Sequence, residues 1–414
     1  MLDRIRSTYR LYPQPFWVLT GATFIDRVGG TVIFPFFSLY ITQKFEVGMT
    51  EAGVMFGIWS IASLIGQMVG GALADQLGRR AILLFGLVFS ALSSVSMGLV
   101  EDLGTFYILA AVVGLLSEMA GPAHQAMVAD MLPEERRADG FGITRVAGNL
   151  AWIAGPTIGG LVAARSFFLL FVLDAISSLI TAVIVYRLIP ETKPEPVEGA
   201  ERQSFASTLR GYRQVLGDRL FVAFVVASMI MTVVYLQLYS TLPVYLRDVH
   251  GVPARGYGLL MSANATAVVL FQFWTTRRTN RYPPMLMMAL GTTLYLVGFT
   301  AYGLVSTYFL FLIAMMTVTF GEMIVIPVGQ ALASRFAPED KRGRYMAFFG
   351  LTWMVPSIFG HAAAGLILDN YDPRWVWYLG GMLSAVAAAG FLLLHTRTQA
   401  RFPAEVPGEP VPVV

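Results

Sequence analysis

Six ionisable residues stand inside long apolar stretches of this chain: Asp26, Arg27, Glu118, Arg145, Asp174 and Glu322. A charge placed in hydrocarbon costs about 3 kcal/mol even on the mildest scales, so each is a functional candidate. Four acids against two bases give a formal sum of −2. A cavity lined by them suits protons and cations. Glu118 and Glu322 are matched, each standing shortly before a proline of its stretch, Pro122 and Pro327. A carboxylate midway along such a stretch can take up a proton from one side and release it to the other. Asp26 is also mid-stretch and reads equally as a proton or substrate site or as a partner for another helix. Arg27 points about 100° away from Asp26 if the stretch is helical, which suits a structural counter-ion. Arg145 is a candidate partner for Glu118, although their heights differ by about 9 Å at 1.5 Å per residue. Asp174 lies near the end of its stretch and reads as structural.

The elements that hold these residues follow from composition. Of 414 residues, 56% are hydrophobic and only 13% charged, about half the ~25% of soluble domains; the mean hydropathy is +0.63. Such a chain cannot cover a water-facing surface, so the class is an all-α polytopic membrane protein. Twelve stretches reach the ~20 residues that span a bilayer, at about 15–42, 52–74, 81–100, 105–130, 140–164, 167–189, 219–246, 256–275, 284–304, 307–334, 344–368 and 374–395. Zero Cys excludes thiol chemistry and Cys-ligated metals. His124 and His361 are lone, so no metal site is expected. No phosphate-binding glycine loop, zinc-protease motif or nucleophile elbow is present, and neither enzyme activity nor a cofactor is expected.

Topology follows from the basic residues. With a cytoplasmic N-terminus, 22 of the 29 Lys and Arg fall in inner segments, five in outer loops and two inside spans. That bias places both termini in the cytoplasm. It also accounts for the net charge of +3, so no nucleic-acid partner is implied. The first apolar run is too long for a cleavable leader and reads as the first span. The expected organisation is a six-helix bundle over 1–189, a cytoplasmic linker over 190–218, a second six-helix bundle over 219–396 and a disordered tail over 397–414. The linker has room for an interfacial helix over Thr208–Leu216.

The halves repeat. Pro122, Gln125-Ala126, Pro133-Glu134 and Arg137 recur as Pro327, Gln330-Ala331, Pro338-Glu339 and Arg342, at an offset of 205. The same offset relates Gly53 to Gly258, Gln67 to Gln272, Gly155 to Gly360 and Gly160 to Gly365. An offset of six spans preserves orientation, so two parallel six-helix repeats are expected, with a site between them near the midplane. Amides within the spans, including Gln67, Gln237 and Gln272, serve either as helix–helix links or as substrate contacts.

Three motifs carry a family resemblance. Gly71-Ala-Leu-Ala-Asp75-Gln-Leu-Gly78-Arg79-Arg80 follows the second span and closely resembles the signature of the major facilitator superfamily. Gly142 and Gly155-Pro156-Thr-Ile-Gly159-Gly160 on the fifth span resemble the glycine–proline motif of its drug/proton antiporters, with Ala151 where Gly is expected. Gly29-Gly30-Thr-Val-Ile-Phe-Pro35 is similar to the first-span pattern of its twelve-helix drug exporters. The resemblance implies that Gly71, Asp75, Gly78, Arg79 and Arg80 latch the two halves in the outward-facing state. It implies that Glu322, Asp26, Glu118 and Arg145 are candidates for proton coupling or the substrate cavity. The second half lacks the first motif; its equivalent is Thr275-Thr-Arg-Arg-Thr-Asn-Arg-Tyr-Pro-Pro284. It also has His361 in place of Pro156.

The implied function is proton-driven export of lipophilic compounds, cations above all, from a monomer in the membrane of a bacterial cell. Its partners are a small-molecule substrate, protons and membrane lipid. The residues leave open a symporter or facilitator of a sugar, metabolite or lipid, and a membrane sensor without transport.

Overall fold

A computed structural model describes residues 11–193, 215–338 and 341–399. The interfacial helix expected over Thr208–Leu216 and the tail expected over 397–414 fall largely outside these residues. The described residues form no strand. Twelve helices are long and apolar enough to cross a membrane: α1 (Gln14–Lys44), α2 (Met49–Leu77), α3 (Arg79–Leu99), α4 (Leu103–Asp130), α5 (Glu134–Ala163), α6 (Phe168–Leu188), α7 (Arg219–His250), α8 (Ala254–Thr279), α9 (Pro284–Leu304), α10 (Tyr308–Phe336), α11 (Arg342–Asn370) and α12 (Trp375–Thr398). The twelve expected spans are all present. The largest boundary difference is at α5, which starts at Glu134 rather than near 140. Pro133 caps it, and Glu134 and Glu135 occupy its first turn, where acids favour the positive end of the helix dipole. α12 runs two residues into the expected tail, through Arg397 to Thr398.

Three spans are broken, each close to a proline. A helix-interior proline removes one N–H and crowds the carbonyl four residues earlier. α1 changes to a 3₁₀ turn over Phe34–Phe36, around Pro35. α4 stops at Ser117 and restarts at Ala120, and the residue four before Pro122 is Glu118. α7 stops at Leu236 and restarts at Thr241, ahead of Pro243. By contrast α5, α10 and α11 run through Pro156, Pro327 and Pro356.

The described residues form two compact units. Of the described residues, 11–193 and 239–265 make the first; 215–238, 266–338 and 341–399 make the second. α7 therefore changes unit at its break. In the first unit α1 packs on α5 and α6, α2 on α4, and α3 on α6. Arg247, on the last segment of α7, donates to Thr42 Oγ1 at 3.0 Å near the end of α1. In the second unit α9 packs on α10 and α12, and α7 on α11 and α12.

Small residues set these seams. A Cβ on Gly66 would lie 2.1 Å from the Leu115 carbonyl oxygen, and one on Gly70 2.4 Å from Met119 Cα, so α2 meets α4 backbone to backbone. A Cβ on Gly86 would meet Ala120 Cβ at 2.5 Å, and 205 residues on, a Cβ on Gly291 would meet Val325 Cγ1 at the same distance. Ring clusters fill both interiors, around Phe37, Tyr40, Phe106 and Phe171 in one unit and Phe221, Phe224, Phe336 and Phe349 in the other. Large apolar side chains such as Leu92, Ile108, Phe273, Leu304 and Leu393 are exposed on the outer faces. Hydrocarbon is the solvent that suits such a surface.

Candidate functional site

The α4 break brings Glu118 into a mixed polar cluster within the first unit. With Pro122 in place, the Glu118 carbonyl accepts from Gly121 N at 3.3 Å instead of taking part in the regular ladder. The Glu118 carboxylate accepts from Gln67 Nε2 of α2 at 3.3 Å. The cation whose charge reaches it is Arg27 of α1, which also acts on Asp26 and His124. Arg145, the partner suggested by height, is exposed on α5. Thr23 Oγ1 and His124 Nε2 are 2.7 Å apart and tie α1 to the second segment of α4.

Asp26 turns towards α6, accepting from Ser178 Oγ at 2.9 Å. Asp174 accepts from Ser94 Oγ of α3 at 2.7 Å. Gly29 permits this packing, because a Cβ there would lie 1.8 Å from Ser177 Oγ and 3.0 Å from Asp174 Oδ1. Glu118, Arg27, Asp26 and Asp174 thus follow one another across α4, α1 and α6, with hydroxyl donors at the Asp26 and Asp174 carboxylates. The sequence located all four but not their order.

The α2–α3 turn is a second polar cluster. Gly78 sits at φ +107°, a conformation that favours glycine. Arg79 Nη1 pairs with Asp130 at the end of α4 and donates to the Ala126 carbonyl at 3.2 Å. Arg80 donates to the Tyr186 carbonyl and lies over the Tyr186 ring. Glu191, just past α6, accepts from the backbone N–H groups of Arg79, Arg80, Thr192 and Lys193. An anion at the start of α3 fits its dipole. Partial burial works to raise the Glu191 pKa, but those N–H groups outweigh it and hold the carboxyl below its ordinary value. Lys193 Nζ closes the cluster on the Gln76 carbonyl at 2.6 Å. Asp75 is exposed on the last turn of α2, and Gly71 is in ordinary contact with Pro122. Glu191 and Asp130 escaped the sequence reading. The signal for both was an acid at or just past the end of a span, within six residues of a Lys or Arg.

On α5 the glycine–proline motif seats α1. A Cβ on Gly155 would lie 2.0 Å from Thr31 Oγ1, and one on Gly159 2.4 Å from the Val32 carbonyl. Thr31 Oγ1 also donates to the Ala151 carbonyl at 3.1 Å. Gly160 approaches Gly258 of α8 closely. Nothing lies within 4 Å of a Cβ on Gly142, and nothing in the structure explains that glycine. Above Thr31, the rings of Phe34, Trp152 and Tyr239 form an aromatic corner with centroids 5.3–6.1 Å apart. Phe34 is 37% exposed there.

In the second unit Glu322 is half-buried on the unbroken α10. The next residue, Met323, has the carbonyl that Pro327 disfavours, and Gln272 Nε2 of α8 donates to it at 3.0 Å. His361, at the position matching Pro156, is buried. Its neighbour's carbonyl, that of Gly360, accepts from Gln237 Nε2 at 3.2 Å.

Residues 19–257 and 238–414 match the profile of the Major Facilitator Superfamily. The chain belongs to that superfamily. It is a multi-pass membrane transporter, not an enzyme. It is 26% identical to a Na(+), Li(+), K(+)/H(+) antiporter from Planococcus maritimus, over 78% of this chain and 82% of that protein. It is 22% identical to the multidrug resistance protein MdtH of Salmonella paratyphi B, over 90% of this chain and 93% of MdtH. The crystal structure of a point mutant of the nucleoside transporter NupG shares the fold, with a TM-score of 0.79 at 14% identity, covering 92% of this chain and 100% of that one.

Proposed function

We propose that this superfamily member exports lipophilic cations in exchange for protons, by alternating access, as a monomer in the inner membrane of a bacterium. The observation that carries the reading is the Glu118 carboxylate, held at the α4 break by Gln67 and within reach of the Arg27 charge. With Glu118 charged, Arg27 is shared between Glu118 and Asp26. A proton from outside neutralises Glu118 and leaves Arg27 to Asp26. The negative charge open to a cationic ligand then falls, and the ligand leaves. Coupling arises because proton and ligand compete; a ligand bound equally in both states would not be driven. Glu322 on α10 is the second acid and receives the cationic group of the substrate; Arg145 on α5 is a separate candidate for the proton coupling. The exposed aromatic corner at Phe34 offers flat surface to apolar ligands. Gly155 and Gly159 hold the α1–α5 contact on which that corner rests, and Pro156 and Gly160 hold the contact of α5 with Gly258 of α8. Asp75, beside Gly71 and the Gly78-Arg79-Arg80 turn, latches the halves in the outward-facing state.

The antiporter from Planococcus maritimus favours a second reading, in which the exchanged ion is Na⁺, Li⁺ or K⁺. Full-length protein in liposomes separates the two under an inward proton gradient. Ethidium movement and Na⁺ movement are followed side by side, with Glu118→Gln and Glu322→Gln. The expected result is gradient-driven ethidium flux that is lost in Glu118→Gln. In Glu322→Gln the flux should persist with a raised half-saturating concentration. Driven Na⁺ flux without ethidium flux selects the second reading. Wild-type gradient-driven flux surviving unchanged in Glu118→Gln overturns the role of that carboxylate.

A further inference from the structure

The second unit carries a groove of about 870 Å³ between α8, α9 and α10. Its walls are apolar: Trp274, Leu290, Leu294, Ile313, Met316 and Phe320 are among the lining residues. Several of these, Trp274, Leu290, Ile313 and Phe320, are exposed on the outer face. Along α10 the lining runs from Leu312 to Ile324, about 18 Å at 1.5 Å per residue and close to one leaflet of a ~30 Å hydrocarbon core. One end of the groove is polar and basic. Arg278, Thr275, Thr279 and Tyr282 line it, and Arg277 and Arg281 adjoin it in sequence. By the distribution of Lys and Arg, this end lies at the inner face.

The charge at this end is unbalanced. No Asp or Glu occurs between Asp248 and Glu322. Neither the Arg79–Asp130 nor the Arg247–Asp248 ion pair involves the three arginines here. Arg278 rests over the Tyr282 ring at 5.9 Å. Independently, Thr275 Oγ1 is buried in the groove wall, the residue 5% exposed, with no hydrogen-bond partner. The equivalent turn of the first unit is closed by its own acids, Asp130 and Glu191. At the offset of 205, Asp130 becomes Arg335. The second unit thus carries arginines of its own at this turn and has Arg335 and Thr396 where the first has Asp130 and Glu191.

We propose that an anionic phospholipid of the inner leaflet supplies the missing charge. Its phosphate sits at Arg278, with Arg277 and Arg281 beside it and Thr275 as a hydroxyl donor, and one acyl chain lies along the groove. A zwitterionic lipid fits the apolar wall equally well but brings a cation to a site already carrying three.

The test is native mass spectrometry of the full-length protein in detergent, titrated with phosphatidylglycerol or phosphatidylcholine. The wild type should retain phosphatidylglycerol in preference. At about a fivefold loss per basic residue near an anionic surface, Arg278→Gln should weaken it about fivefold and the variant with Arg277, Arg278 and Arg281 all changed to Gln about a hundredfold. Met316→Trp, which fills the groove and leaves the arginines in place, should also lower retention. Arg187→Gln, an inner-face arginine of the first unit, should not. Equal retention of both lipids, or no loss in the triple variant, overturns the proposal. Loss in Arg187→Gln as large as in Arg278→Gln does so too, since the charge would then act without a site. None of these readouts involves transport.

Discussion

The α4 break and the matching stretch of α10 are built from the same parts and end differently. Each has a proline, Pro122 or Pro327, and each receives a glutamine from a neighbouring helix, Gln67 or Gln272, at the common offset of 205. Each packs a glycine, Gly86 or Gly291, against the residue two before its proline. In the first unit the residue four before the proline is Glu118, the helix breaks there, and the glutamine meets a carboxylate. In the second it is Met323, the helix continues, and the glutamine meets the backbone carbonyl that the proline disfavours. Proline alone therefore does not decide whether a span breaks. What the neighbouring amide does with its proton distinguishes a helix that is repaired from one that displays an acid.

The seams give the largest expected contrast. In Gly70→Ala the new Cβ would lie 2.4 Å from backbone atoms of Met119, next to the break, and backbone cannot swing away. Overpacking of this kind costs about 3 kcal/mol, of which helix propensity returns about 1, leaving a net loss near 2 kcal/mol. In Gly291→Ala the nearest atom is a side-chain methyl of Val325, with the Gly321 carbonyl at 3.0 Å. There the two effects nearly cancel. Thermal unfolding in detergent should show a clear drop for Gly70→Ala and little change for Gly291→Ala. Equal drops would mean that the break does not make the α2–α4 seam less forgiving.

This contrast also marks what was legible. The spans follow from residue type and spacing, because length and hydropathy alone set them. The order of charges around Glu118 was not legible. Counting residues gives height along a helix, but which cation an acid meets depends on how each helix is rotated about its own axis. Arg145 matched Glu118 only by such counting, whereas Arg27 is the charge that reaches it. The break in α7 was hidden for a related reason: the span reads as one apolar run, and the interruption at 237–240 depends on how its neighbours pack.

The two amides give a smaller contrast with opposite readouts. Gln272→Leu leaves the Met323 carbonyl without its donor inside a buried seam, at a cost of about 1–2 kcal/mol. It should lower the unfolding temperature while sparing proton-driven exchange. Gln67→Leu removes a longer bond, 3.3 Å, to a half-buried carboxylate. It should change stability by about 0.5 kcal/mol or less and reduce exchange. If Gln67→Leu destabilises as much as Gln272→Leu with exchange intact, Gln67 is repairing the helix after all.

The smallest contrast concerns the α2–α3 and α8–α9 turns and is a pH effect. The Glu191 carboxyl is held below its ordinary 4.5 by the N–H groups at the start of α3. A depressed acid contributes stability that is fully present above 4.5 and is lost as pH falls through its lower folded value. Glu191 is largely exposed, so solvent screening limits the contribution to a few tenths of a kcal/mol. Amide exchange at Arg79 and Arg80, corrected for intrinsic pH dependence, should therefore lose a little protection below that value in the wild type. In Glu191→Gln the protection should be lower at neutral pH and no longer depend on acid. The turn at Arg277 and Arg278 has no acid of its own, so its amides should keep constant protection over the same range. Acid-dependent protection there would point to a titrating group from beyond this turn, such as a bound phosphate.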